Sequence, residues 1–272
     1  MTSLEVGTRS TVRASDVNDL MSAHFAADFT AERTAELNRK FVDEHIVTLA
    51  GLCPPELFGS VRDEARRIID SYGTSLSLVF EITDGTPRNM RTVGQPVIKD
   101  EGPLIDAFYF APALLDLVER IVGEPVHTCP YPGEHYVISQ LDKNGDTHGW
   151  HWDDYTYGII LILEAPHYTQ GGFVQAVPNT SWNKTNPDVY GALLSSQVRS
   201  YALEPGDGYL IKTNTTMHRV HPIRGDGRRM IVNMTLASTA DLGRSFTHET
   251  NDALFGGIRD PRLNDGAPVV RD

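Results

Sequence analysis

Hydrophobic and polar positions follow two different periods along this chain. Over residues 16–39 the residues Leu20, Met21, His24 and Phe25 recur near helical spacing, and Asp16 stands where a cap is needed. That pattern predicts one helix. "HIVTLAGL", residues 45–52, reads as a strand running into a turn. "PPELFGSVRDEARRIIDSYG", residues 54–73, reads as a helix with prolines at its start, acids early, arginines later and Gly73 at its end. "LSLVFEIT", residues 76–83, is a strand candidate, and "APALLDLVERIVG", residues 111–123, is an amphipathic helix closed by Gly123.

The texture changes from about Glu134 onward. Short apolar runs now follow one another, separated by turn signals: "EHYVISQL", "YGIILILEA", "GGFVQAVP", "VRSYALEPGDG", "YLIKTN" and "RRMIVNMTLAS". They are rich in Val, Ile, Tyr and Thr and partly alternate, as half-buried strands do. Many short strands without helices between them predict a sandwich or jelly-roll barrel, with the preceding helices packed outside it. The expected organisation is one domain over residues 1–272. Residues 1–16 are expected to be flexible, 17–125 a helix-rich flank, 126–240 the jelly-roll core, and 241–272 a segment covering the substrate.

Composition narrows the function classes. With 272 residues, 40% hydrophobic and 22% charged, the chain can bury a substantial core. No apolar run reaches the roughly 18–20 residues of a membrane span, and the N-terminus lacks the apolar centre of a signal peptide. A net charge of −12 with no long basic run argues against nucleic-acid binding. Two cysteines without C-x-x-C spacing build no disulfide framework. The expectation is a cytoplasmic protein that binds a small molecule, with no nucleic-acid or membrane partner.

Candidate chemistry concentrates in "HGWHWDDY", residues 148–155. On a strand, residues i and i+2 share a face, so His151 and Asp153 project together while Trp152 turns away. On the same regular strand His148 faces away from His151. A third ligand has to come from elsewhere, and His218, carried by the turn and strand of "LEPGDGYLIKTNTTM", supplies it. Two histidines and a carboxylate form the facial triad of non-haem iron(II) oxygenases, with open positions opposite. Eleven residues past His218, Arg229 opens an apolar strand, and its guanidinium suits the far carboxylate of 2-oxoglutarate. Asn233 and Thr235 share the face of Arg229 and need polar partners there. His221 and Arg228 are the rivals of His218 and Arg229.

Together, "HGWHWDDYTYGIILILEAP", "GGFVQAVPNTSW", "YALEPGDGYLIKTNTTMHRVHPI" and "RRMIVNMTLA" resemble the iron(II)/2-oxoglutarate oxygenase superfamily. The likeness is greatest to the free-lysine radical halogenases and their hydroxylase relatives, and it covers roughly residues 85–240. It implies a double-stranded β-helix, Fe(II) held by His151, Asp153 and His218, and 2-oxoglutarate and O2 as cosubstrates. It also favours His218 over His221 and Arg229 over Arg228. It assigns Glu134 and Asp154 to substrate amines, His148 to a substrate contact, Arg88 to the substrate carboxylate, and Phe255 to a position over the substrate. The halogenases carry a small residue, usually glycine, where this chain has Asp153, and that gap admits chloride. With the carboxylate present, the expected activity is hydroxylation of an unactivated side-chain carbon of a free basic amino acid, L-lysine first, with succinate and CO2 as coproducts. The alternatives are an oxygenase acting on a different or carrier-bound amino acid, a radical halogenase, or a non-catalytic metal-binding jelly-roll.

Overall fold

The computed structural model describes residues 12–255, so the remainder of the expected flexible start and of the expected covering segment, residues 1–11 and 256–272, lie outside the described residues. The expected first helix is two: α1 (Val17–Asp28) and α2 (Ala31–Glu44). The break has a local cause. Thr30 accepts a hydrogen bond from the Arg33 backbone N–H and restarts the helix, while Phe29 leaves helical geometry and buries its ring. The second helix runs past residue 39 because Phe41 lies in the core, and it ends at His45 in the left-handed conformation. Four more helices complete the flank: α3 (Pro55–Tyr72), α4 (Gln95–Glu101), α5 (Pro103–Tyr109) and α6 (Pro112–Val122). Each carries a proline in its first two positions, where the missing N–H costs nothing.

The flank is not purely helical. It contributes β1 (Ile46–Leu49), β2 (Thr74–Val79) and β3 (Pro87–Val93), and the expected strand over 76–83 ends early in a 3-10 turn. The remaining strands are β4 (Val126–Thr128), β5 (Tyr136–Leu141), β6 (Thr147–His151), β7 (Tyr157–Glu164), β8 (Val174–Pro178), β9 (Arg199–Tyr201), β10 (Gly208–Lys212), β11 (Thr216–Val220) and β12 (Arg229–Ser238). All recorded pairings are antiparallel, in the order β1-β10-β7-β12-β5-β3-β6-β11-β8-β9, with β2 beside β3 and β4 beside β12. This is a nearly closed barrel of the double-stranded β-helix, or jelly-roll, type with helices packed on its outside. Among the described residues no helix is long and apolar enough to cross a membrane.

Alternation along the central strands explains both walls of the barrel. Ile159, Leu161 and Leu163 of β7, and Met230, Val232, Met234 and Leu236 of β12, join the core formed with the flanking helices. Ile160, Ile162 and Ile231 pack on the other face, against Tyr209 and Ile211 of β10. Strands covered on both sides read as nearly continuous apolar runs, which is why "GIILILEA" shows so little alternation.

One irregularity matters for the site. His218 of β11 pairs with His151 of β6, but Val220 pairs with His148, so two steps on one strand match three on the other. This bulge resets the alternation along β6. Gly149 lies inside it, and a Cβ there would stand 2.6 Å from the Pro87 carbonyl oxygen and 2.9 Å from the Thr86 Cβ. Gly149→Ala is therefore expected to destabilise the fold by about 2 kcal/mol and to lower the melting temperature by roughly 5 °C. An unchanged melting temperature in thermal unfolding would refute this close approach of β3 and β6.

Candidate active site

The interior of the barrel opens into a cavity that gathers the residues expected at the site, while the rivals His221 and Arg228 do not line it: Arg88, Glu134, His148, His151, Asp153, Asp154, His218, Arg229, Asn233, Thr235 and Phe255 all do. His151 ends β6 and His218 lies on the neighbouring β11. Asp153 stands two residues past the end of β6, and its carboxylate lies beside both imidazoles. The His151 Nδ1–H donates to the Gly149 carbonyl at 2.7 Å and the His218 Nδ1–H to the Thr216 carbonyl at 2.9 Å. Both Nε2 atoms are left with their lone pairs for a ligand. They lie 3.7 Å and 3.6 Å from the two Asp153 oxygens. These separations are too long for hydrogen bonds between them and suit donors arranged around a common point.

One ligand atom from each of the three residues falls within 4.8 Å of the others. Burial, helped by His148, His218 and Arg88 nearby, holds the His151 imidazole well below its usual pKa and so in the neutral form that binds metals. Two imidazoles and one carboxylate fit Fe(II), with positions left for 2-oxoglutarate and O2.

His148 departs from expectation. Its ring stacks on His151 at 3.8 Å with 12° between the planes, because the bulge puts both on one face. The residue is half-buried with its Nε2 shielded from solvent and without a partner among the described residues, and desolvation together with Arg88 keeps it well below its usual pKa.

Two buried arginines point to the cavity. Arg229 is 3% exposed, hydrogen-bonds with Tyr209, and leaves Nη1 without a partner among the described residues. Its rival Arg228 lies outside, half exposed and paired with Glu164 at 3.0 Å. Arg88 is no loop arginine. It sits on β3 opposite His148, is 2% exposed, and lies over the Phe80 ring at 4.7 Å. Burial pulls its pKa down to about 10, against the charge of Asp153. Its Nε also has no partner among the described residues. Buried guanidinium donors without partners mark a place where an anionic group is missing.

The two acids expected to receive substrate amines already have partners within the chain. Glu134, in a 3-10 turn rather than at a strand start, accepts from His248 Nδ1 at 2.8 Å. Asp154 Oδ1 meets Lys184 Nζ at 2.8 Å, and burial pushes the Asp154 pKa up to about 6 against the pull of Lys184. Lys184 and His248 escaped the sequence reading because each lies far along the chain from the acid it meets. Tyr209 was more legible: it shares a strand face with Ile211, which lies on the inner side of the barrel. On β12, Arg229, Ile231, Asn233 and Thr235 all reach the cavity, as their alternation predicts. A short helix, Glu249–Phe255, brings Phe255 over it, with the ring against Gly94.

No curated protein matches the chain. Among solved structures, the alpha-ketoglutarate-dependent epimerase SnoN from nogalamycin biosynthesis is similar at 16% identity, over 89% of this chain and 97% of its own, with a TM-score of 0.61. A second SnoN structure holds Fe3+, alpha ketoglutarate and nogalamycin RO. AviO1 from Streptomyces viridochromogenes Tue57 is similar at 16% identity over 76% of this chain and 95% of its own, with a TM-score of 0.60. A prolyl hydroxylase from Trichoplax adhaerens follows at 9% identity, 79% and 94% coverage, and a TM-score of 0.57. These likenesses establish the fold. The family model described as Halogenase D matches residues 29–256, a span that contains the flanking helices from α2 onward, the whole barrel and all three candidate ligands, and the chain belongs to that family.

Proposed function

We propose that the protein is an iron(II)- and 2-oxoglutarate-dependent hydroxylase of an unactivated side-chain carbon in a free basic amino acid, with L-lysine the first substrate to test. One observation carries the choice of hydroxylation: the Asp153 carboxylate stands with the His151 and His218 imidazoles in a single donor cluster. A carboxylate in that place competes with chloride for one coordination position and one charge. The opposite charges across the cavity support an amino-acid substrate, with Arg88 for its carboxylate and Glu134 and Asp154 for its amines. The buried cysteines Cys53 and Cys129, both unpaired, fit the cytoplasmic setting that belongs to the same reading.

When bound, Fe(II) with 2-oxoglutarate and O2 supplies an oxidant strong enough to hydroxylate an aliphatic carbon, with succinate and CO2 as coproducts. The chain's own residues bind and aim. His151, Asp153 and His218 would hold the metal. Arg229, steadied by Tyr209, would take the far carboxylate of 2-oxoglutarate. Asn233 and Thr235 offer hydrogen bonds to the substrate from the same strand face, and neutral His148 lines its path. Phe255 and Trp182 wall the cavity against water. Which carbon reacts follows from where these contacts hold it. The family's description as Halogenase D favours a second reading, radical halogenation, which the same Asp153 opposes.

Three outcomes test this reading. In a pooled amino-acid mixture, mass spectrometry is expected to show one basic amino acid gaining an oxygen atom, in step with succinate and only with iron, 2-oxoglutarate and oxygen together. Iron binding without turnover of any amino acid would sink the substrate assignment. Asp153→Gly is expected to lower hydroxylation by about a hundredfold and to weaken iron binding, and chlorinated product from this variant in chloride would identify the blocked position. Undiminished hydroxylation would remove Asp153 from the ligand set. Arg229→Leu is expected to raise the KM for 2-oxoglutarate about tenfold or more while leaving the KM for the amino acid nearly unchanged. A shift confined to the amino acid would reassign Arg229.

A further inference from the structure

The acid at the outer side of the cavity is already neutralised from within the chain. Lys184 belongs to the loop after β8, and its Nζ donates to Asp154 Oδ1 at 2.8 Å, to Glu249 Oε2 at 2.9 Å, and to the Thr247 carbonyl and hydroxyl, each at 3.1 Å. It lies 4.6 Å from the centre of the Trp182 ring, and the Trp182 indole N–H is anchored on the Ile82 carbonyl at 2.8 Å. Asp153, Asp154 and Trp182 form the partition between two spaces. They line the cavity that holds the metal ligands, and they also line a second cleft on the Lys184 side. A ligand ammonium approaching Asp154 from the cavity therefore meets a carboxylate whose charge is already balanced by a lysine approaching from the other side. Two like charges on one carboxylate repel, and in a part-buried site that repulsion is weakly screened.

We propose that Lys184 is the specificity-determining residue of this cavity: it decides how far the site favours a substrate with a second ammonium over one with a neutral side chain. Glu249 sets the strength of this effect. By sharing Lys184 it draws the ammonium partly away from Asp154 and leaves the cluster of Asp154, Glu249 and Lys184 one positive charge short of neutral. A cation entering from the cavity completes that balance, and an uncharged side chain does not. This inference rests on the amino-acid reading above, and it reaches further by assigning charge selectivity to residues outside the set that holds metal and substrate.

The test compares L-lysine with L-norleucine, an amino acid of the same chain length that lacks the terminal ammonium. Dissociation constants are measured by calorimetry on the full-length protein loaded anaerobically with iron and 2-oxoglutarate. In Lys184→Met the preference for lysine over norleucine is expected to rise about tenfold relative to the unaltered protein. In Lys184→Arg it stays near the original value. In Glu249→Gln, where the ammonium is released wholly to Asp154, the preference falls. If Lys184→Met does not fold, the opposite sign of Glu249→Gln still decides. A preference unchanged in both variants, or no measurable binding of either amino acid to any form, overturns the proposal. Shifts of the expected sign without oxygen-dependent turnover of any amino acid leave the charge selectivity standing and overturn the hydroxylase reading alone.

Discussion

Burial on both faces of the central strands is the constraint from which the rest of the structure follows. One face of β7 and β12 lies under the helices, in a core that includes Leu161, Val232 and Leu236. The other face encloses the barrel interior. Polar groups placed there lose water and must find partners. Arg88, Arg229 and His148 each keep a buried nitrogen without a partner among the described residues. A fold tolerates such donors where a ligand supplies what the protein omits, so the same burial that holds the barrel together also makes its interior a binding site.

The metal cluster shows how much depends on a small backbone irregularity. A regular strand would carry His148 and His151 on opposite faces. The bulge between β6 and β11 places them together, and Asp153, just past the strand end, sets its carboxylate beside the imidazoles of His151 and His218. Gly149 permits this because β3 runs too close for any side chain. The donors are set in advance by backbone carbonyls on both imidazole Nδ1 atoms, so a metal would find oriented ligands without reorganising them.

Much of this was legible along the chain. The strand-rich half announced itself by its short β-branched runs, and alternation from Arg229 to Thr235 identified four residues that do share the cavity. The cluster of His151, Asp153 and His218 was also readable from residue type and spacing. Elsewhere local pattern misled. The one expected helix over 16–39 hid a cap at Thr30, and β3 was missed because "PRNMRTV" alternates polar residues that the fold buries. Arg88 looks like a loop arginine until its strand is placed between β5 and β6.

The sequence by itself determined the elements with a strong local period, the barrel class, and the residue types that gather a metal, because those depend on neighbours a few positions apart. Only the tertiary structure decided the face of His148, the depth of Arg88, and the occupation of Asp154 and Glu134 by Lys184 and His248. Those depend on the register of strands and on the path of loops. A shift of one residue in pairing exchanges the two faces of a strand, and a lysine thirty positions away can meet an acid only when the chain between them has folded.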